Sequence, residues 1–183
     1  MLQSGLTFST RINHIQPKTI YARPDNNGNI NYRFNCSAGY SFVALKSSSL
    51  TPLSGDSIRA LTSKNILQYI GVPVVVKYMF GKGRFSVTPG VGIAANFLTG
   101  GKIETTIPTT TGNESVTSND IQGLKSMYFN GSASIGAQYK LNKTFELTFI
   151  PTVRFALSSI NKDAPVKTNL NSTGLAAGII IKL

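Results

Sequence analysis

The sequence predicts an all-β protein built on an antiparallel up-and-down sheet, and three observations support this fold class. Six stretches alternate apolar with small or polar residues at the period of two that is typical of strands. No stretch shows a convincing helical period. The connections between the six stretches alternate between long and short, as they do when strands run up and down in order.

The first two predicted strands differ in length and in the clarity of their pattern. Residues 2–12 (LQSGLTFSTRI) alternate leucine, phenylalanine and isoleucine with polar residues. In residues 68–80 (QYIGVPVVVKYMF), the even positions from Ile70 to Phe80 form a continuous apolar row. Both patterns indicate strands with one apolar face.

The third predicted strand, residues 85–97 (FSVTPGVGIAANF), has the most regular alternation in the chain. Its odd positions are apolar throughout, and its even positions are small and carry no charge. A face in contact with water normally collects Lys, Glu and Asp. We therefore expect the small face to be enclosed inside the protein.

The last three predicted strands repeat this pattern along the second half of the chain. They cover residues 127–141 (MYFNGSASIGAQYKL), 145–157 (FELTFIPTVRFAL) and 172–183 (STGLAAGIIIKL). Phenylalanine, leucine and isoleucine again share one face, opposite Gly, Ser, Thr and a few charged residues. All six strands are therefore expected to have the same two-faced character.

The predicted connections place all long loops at one end of the sheet. The long loops are residues 13–67, 99–126 and 159–171, whereas 81–84 and 141–143 are short turns. Transmembrane β-barrels of bacterial outer membranes show this asymmetry, with an apolar outward face and a polar interior. A closed barrel of eight strands has room inside only for packed side chains, which suits the small inner face.

Strand length and aromatic position agree with a membrane-spanning barrel. At about 3.3 Å per residue and a tilt of about 40°, residues 85–97 project to roughly 30 Å, close to the hydrocarbon thickness of a bilayer. Aromatic residues fall at both ends of the strands, as in interfacial girdles. They are Phe80, Phe85, Tyr139 and Phe145 by the short turns, and Phe97, Phe129 and Phe155 by the long loops.

Six strands are too few for a closed single-chain barrel, because such barrels begin at eight strands. Two open edges in lipid would leave backbone donors and acceptors unsatisfied. We therefore expect residues 1–183 to form one outer-membrane β-barrel domain that lacks its N-terminal hairpin, with the two missing strands preceding Met1.

The chain resembles a known family in several of these stretches. They include LQSGLTFS, YRFNCSAGYSFV, LQYIGVPVVVKY, GRFSVTPGVGIAANFLTGGKIET, IQGLKSMYFNGSASIGAQY, PTVRFALSSINKDAPVKTN and the closing GLAAGIIIKL. Together they resemble the small outer-membrane β-barrel domains of Bacteroidota-type Gram-negative bacteria. The resemblance implies an eight-stranded barrel and supplies no catalytic residues. The chain departs from the family pattern at Leu183, because outer-membrane strands more often end in an aromatic residue.

The composition offers little enzymatic chemistry. The net charge is +11, but the basic residues are spread singly and form no stripe, so we expect no nucleic-acid partner. His14 has no catalytic partner at an informative spacing, Glu146 is the only acidic residue in a strand pattern, and Cys36 is the only cysteine. No catalytic, cofactor or metal site is predicted.

Five charged residues are predicted to point inward as a lumen charge network. They are Arg11, Lys77, Glu146, Arg154 and Lys182. Buried charges need partners, so we expect a salt-bridged plug, completed by acidic residues of the missing strands, in preference to an ion pathway.

The predicted function is therefore that of a non-enzymatic barrel in the outer membrane of the cell envelope. It would anchor in the lipid bilayer and present its long loops to a protein or glycan partner. Two alternatives remain open from the sequence. One is a soluble lipocalin-like barrel that binds an apolar ligand, with its faces reversed, and the other is a narrow porin-like channel.

Overall fold

The computed structural model describes residues 1–46, 52–81, 83–109, 112–162 and 167–181. These residues form antiparallel sheets and contain no helix that is long and apolar enough to cross a bilayer. Their strands are β1 (Leu2–Ser4), β2 (Thr7–Ile15), β3 (Lys18–Pro24), β4 (Ile30–Asn35), β5 (Tyr40–Val43), β6 (Ser57–Ala60), β7 (Ser63–Lys77), β8 (Phe85–Thr109), β9 (Gly112–Ser118), β10 (Met127–Lys140), β11 (Phe145–Ala156) and β12 (Ser172–Ile181).

The larger sheet contains all six strands that the sequence predicts, in the predicted order. Its path runs β1, β7, β8, β10, β11, β12, with β2 continuing the row of β1 along β7 and β9 pairing with the far half of β8. Every neighbouring pair is antiparallel. The all-β antiparallel fold is therefore confirmed.

Like faces meet across the sheet, although both short hairpins differ from the predicted register. A four-residue turn at 81–84 predicts that Phe80 opposes Phe85, but Phe80 opposes Val87. A three-residue turn at 141–143 predicts that Lys140 opposes Thr144, but Lys140 opposes Glu146. Each pairing is shifted by two residues, so every side chain keeps its predicted face.

Side-chain capping accounts for the longer second turn. The Oδ1 atom of Asn142 accepts hydrogen bonds from the main-chain N–H of Thr144 at 2.9 Å and of Phe145 at 2.8 Å. An Asn side chain that bonds the backbone two residues ahead stabilises a turn in place of further strand pairing. The turn therefore closes at Leu141, whose main-chain N–H donates to the oxygen of Phe145 at 3.0 Å.

Two of the three segments predicted as long loops, residues 13–67 and 99–126, contain strands that the prediction missed, whereas the described part of 159–171 contains none. Residues 13–67 include a separate four-stranded sheet in the order β5, β4, β3, β6. Within residues 99–126, β8 runs on to Thr109 and forms a hairpin with β9. These strands are short or carry charged residues on one face, and for that reason they resemble polar connecting segments in the sequence.

A β-bulge changes which face of β8 is buried. The register between β7 and β8 shifts at Gln68 and Tyr69, and one extra residue, Thr99, is left over on β8. A one-residue insertion moves all later side chains to the other face. The odd positions of β8 are exposed at Val91 but buried at Ile103.

The small sheet and the far part of β8 share a core, and we call this unit the head: β3 to β6, residues 101–109 of β8, and β9. Its buried residues are Ile20, Phe34, Val43, Ala60, Ile103, Ile107 and Val116. A second buried cluster lies between the head and the larger sheet. It contains Ala38, Leu67, Tyr69, Tyr128, Ile160 and Leu170, and the rings of Tyr69 and Tyr128 pack edge to face.

The two outer rows of the larger sheet are not joined by a backbone ladder in the described part of the chain, and no closed barrel is found. One side-chain contact spans them. The Nη2 atom of Arg11 on β2 donates to Oγ of Ser172 on β12 at 3.4 Å. The sheet therefore curls until its first and last rows approach each other.

The head should lose its structure when its core is truncated. Phe34 is fully buried against β8 and β9, so Phe34→Ala should destabilise the head by about 3 to 5 kcal/mol. Hydrogen exchange should then accelerate in β3 to β6 while the β10–β11 pairing keeps its protection. Tyr21→Ala, at a half-exposed position of the same sheet, is the control and should have little effect. Equal acceleration throughout the chain would contradict a separate head core.

Candidate functional site

On β8 and β10 one face of the larger sheet is largely buried and the other is exposed, and the apolar face is the exposed one. On β8, Thr88 is 6% exposed and Val91 is 64% exposed. Ser86 and Asn96 are buried with Thr88, and Ile93 is exposed with Val91. The prediction that the small face is enclosed is confirmed.

The outward side chains of the larger sheet form a continuous apolar surface, which we call the outer face. Its exposed members are Phe8, Val72, Val74, Val76, Phe85, Val91, Ile93, Phe97, Phe129, Ile135, Tyr139, Phe145, Leu147, Phe149, Val153, Phe155, Leu175 and Ile179. No Asp, Glu, Lys or Arg lies between them on the same face of these strands. Soluble monomers rarely expose contiguous apolar patches of this extent, so this surface indicates contact with an apolar partner or medium.

Aromatic rings lie at both ends of the outer face, as the sequence predicts. Tyr139 pairs directly with Phe85 at the short-turn end. At the other end Phe155 pairs with Gly131, and its ring covers the glycine so closely that an added Cβ would lie 2.4 Å from ring atoms. Glycine at this position lets the ring lie flat across the neighbouring strand.

The inner face surrounds a cavity of about 420 Å³. Its walls come from β1, β2, β7, β8, β10 and β11, and they mix polar side chains with apolar ones such as Val75 and Ile150. Polar lining side chains include Arg11, Lys77, Asn96, Tyr128, Asn130 and Arg154. The interior of the curled sheet therefore presents charged and polar groups that water can solvate, beside several apolar side chains.

Glycine keeps the inner face narrow beside this cavity. A Cβ added to Gly92 would lie 2.6 Å from the main-chain oxygen of Val74, and one added to Gly71 would lie 2.6 Å from Oγ1 of Thr7. Larger residues at these positions would force backbone or neighbouring side chains to move. The strands can therefore curl tightly around the cavity.

The predicted lumen charge network is brought together only in part. Arg11, Lys77 and Arg154 line the same cavity. Glu146 is buried, at 4% exposed, but lies on β11 near the short turn, outside the cavity lining, opposite Lys140. Lys182 lies outside the described residues. The acidic partners expected from additional strands stay a prediction.

The two isolated residues noted in the sequence have different environments. His14 is exposed near the end of β2, as expected of a surface residue. Cys36, expected in a polar loop, is half-buried and packs against both buried clusters. The Nδ2 group of Asn65 donates to its sulfur at 3.7 Å. Cys36 therefore has a packing role between the head and the larger sheet.

The head carries an ion-pair cluster that links β7 and β8. Glu104 contacts Lys64 on the neighbouring strand at 2.8 Å and Lys102 on its own strand at 2.7 Å. Hydrogen bonds from Lys102 and Lys64 hold the pKa of Glu104 at about 2, below its ordinary value of 4.5. This cluster lies beyond the bulge, on the strands that extend into the head.

Sequence reasoning missed a basic surface on the small sheet, because residues 13–67 are predicted as a loop. The available signal is the alternation in β3, where Thr19, Tyr21 and Arg23 flank the buried Ile20 and Ala22. That alternation spans too few residues to stand out beside the longer strands. The outward residues of this sheet form the second surface with a distinctive chemistry.

Within the described ranges, no group of three or more His, Cys, Asp or Glu residues is placed to hold a metal ion. Comparisons with known proteins found no matching family model, no matching curated protein and no matching solved structure. The outer face, the polar cavity and the head are therefore the observations on which a function can be argued.

The ion pairs of Glu104 should make the stability of the head depend on pH. Because the folded pKa lies below the unfolded value, the stabilisation is present above pH 4.5 and is lost as the pH falls towards about 2. Glu104→Gln should therefore be less stable than the wild type at neutral pH and should have the same stability as the wild type near pH 2. Denaturant unfolding across this pH range measures the difference. A constant difference at all pH values would contradict the ion-pair assignment.

Proposed function

We propose that this chain is a non-enzymatic β-barrel component of a Gram-negative outer membrane, where the larger sheet anchors in the bilayer and the head binds a partner outside it. The observation that carries the proposal is the outer face. Its side chains are large, apolar, exposed and uncharged, while the opposite face is small and polar. This arrangement is the reverse of a soluble protein and is the one a membrane barrel requires.

The dimensions of the larger sheet support a bilayer-spanning role. Between the aromatic residues at its two ends, β8 runs from Phe85 to Phe97. Twelve steps of about 3.3 Å at a tilt of about 40° cover roughly 30 Å of membrane normal. The aromatic rings would then lie at the two interfaces, where their amphipathic character is favourable.

Closure of the barrel belongs to this proposal. The outer edges of β1, β2 and β12 need backbone partners in lipid, since each unsatisfied group costs several kcal/mol there. Two additional strands between these edges would complete eight rows and bring new residues next to Arg11. At the head end the side chains of Arg11 and Ser172 bridge the two edges, so the added strands would have to fit behind this contact or replace it.

The three cations of the cavity argue against the soluble alternative. A lipocalin-like binder needs an apolar interior, whereas Arg11, Lys77 and Arg154 line this one. Val75 and Ile150 also line the cavity, but most of the large apolar residues of the larger sheet lie on the opposite, exposed face. We therefore retain the membrane anchor as the proposed function.

A charge in the middle of the outer face should prevent insertion. Val91→Arg or Ile135→Arg should weaken folding into bilayers by about 2 to 4 kcal/mol, because a cation that faces lipid near the midplane carries this cost. Refolding from denaturant into phospholipid vesicles, followed by flotation, measures the inserted fraction. The variants and the wild type are compared in the same full-length protein.

The matched control is Leu53→Arg, which adds the same charge at a residue that is 74% exposed but lies between β5 and β6 in the head region. It should insert as the wild type does. If Val91→Arg also inserts normally, the outer face does not contact lipid and the proposed function is wrong.

A further inference from the structure

The four strands of the small sheet carry basic residues and no acidic residue. Lys18 and Arg23 lie on β3, Arg33 on β4 and Arg59 on β6. Neither Asp nor Glu occurs within β3, β4, β5 or β6. The sheet therefore has an uncompensated positive charge along its strands.

The register places three arginines on one face, which we call the arginine face. Tyr21 pairs with Arg33, Arg23 with Asn31, and Thr19 with Arg59, and directly paired residues point to the same side. The opposite side, with Ile20 and Phe34, packs into the head core. The arginine face is thus the solvent side of the sheet.

A groove of about 520 Å³ runs over this face. It is lined by Lys18, Thr19, Ile20, Tyr21, Arg23, Arg33 and Asn35. Arg23 and Arg33 are the cations that it takes from the arginine face, Lys18 joins its lining from the side of Ile20, and none of the lining residues is acidic. The shape and charge both suit an extended anionic ligand.

Two of the cations are held in position by neighbouring groups. The guanidinium of Arg33 lies 3.7 Å from the centre of the Tyr40 ring, and its Nε atom donates to Oδ1 of Asn35 at 3.1 Å. The ammonium of Lys18 lies 4.2 Å from the centre of the Phe34 ring and donates to the main-chain oxygen of Asn35. Ordered cations lose less conformational freedom when they bind an anion.

The nearest carboxylates are engaged in turns beside the sheet. Asp25 accepts hydrogen bonds from the main-chain N–H of Asn27 and Asn29 and from the side chain of Asn31. Asp56 accepts one from the main-chain N–H of Leu53. In the described part of the chain, no salt bridge within 4.0 Å involves Lys18, Arg23 or Arg33.

We infer that the arginine face binds an acidic polysaccharide, whose carboxylate or sulfate groups are recognised by Arg23 and Arg33. Guanidinium groups bind such anions through paired, charge-assisted hydrogen bonds. Single-stranded nucleic acid is a poorer fit, because it needs free aromatic faces for base stacking. Arg33 already covers Tyr40, which leaves Tyr21 as the exposed ring of the groove. The inference deepens the proposed function, on which it rests for the outward orientation of the head.

Binding in detergent solution tests the inference without bilayer insertion, so its failure is distinct from failure of the membrane anchor. The probes are heparin, polygalacturonate, neutral dextran and single-stranded DNA, measured by calorimetry. We expect one or both acidic polysaccharides to bind and dextran not to bind. Arg23→Gln with Arg33→Gln should weaken that binding by about tenfold or more, and added salt should weaken it further.

The matched control is Lys162→Gln with Lys167→Gln, which removes the same charge at exposed residues outside the groove. This control should bind within about twofold of the wild type if the groove, not net charge, provides recognition. Arg23→Glu alone leaves the Arg33 contacts intact, so it tests the site even if the double variant does not fold.

Three results would overturn the inference. One is equal loss of affinity in the control and groove variants, which would indicate non-specific attraction. Another is the absence of binding to either acidic polysaccharide by wild-type protein. The third is tighter binding to single-stranded DNA that depends on the same two arginines, which would assign the face to nucleic acid.

Discussion

The opposition between a large apolar outward face and a small polar inward face is the constraint on which this structure depends. Backbone pairing in register keeps that opposition intact from one strand to the next, because like faces meet across every ladder. Val76, Val91 and Ala133 therefore lie in one outward row. The curl of the sheet, its narrow interior and the proposed lipid contact all follow from this opposition.

The bulge between β7 and β8 allows one strand, β8, to contribute apolar residues to the outer face in its first half and to the head core in its second half. Before the bulge, odd residues of β8 such as Val91 and Ile93 point outward. After it, Ile103 and Ile107 are buried in the head core. Without the extra residue at Thr99, the apolar residues of the far half would face solvent and the small sheet would have no surface to pack against.

The head places charged residues at one end of the molecule, whereas the outer face contains none. The ion-pair cluster of Glu104 joins β7 and β8 there, and the arginine face lies on the far side of the head core. The two basic regions differ because Lys64 and Lys102 have a carboxylate between them, whereas Arg23 and Arg33 pair with Asn31 and Tyr21 across the strands and form no salt bridge in the described residues. The arginine face therefore retains its capacity to bind an anion.

The sequence alone determined the six long strands, their order and the face that each residue occupies, because period-two alternation over ten or more residues depends only on backbone geometry. Only the structure decided the hairpin registers, because a shift by two residues leaves every side chain on the same face and alternation therefore cannot distinguish the two registers. The same holds for the head, whose four- to seven-residue strands are too short to give a clear pattern and become ordered by packing on Ile103 and Ile107. The burial of Cys36 and the alignment of Arg23 with Arg33 also depend on contacts between distant segments, and alternation along one strand carries no information about such contacts.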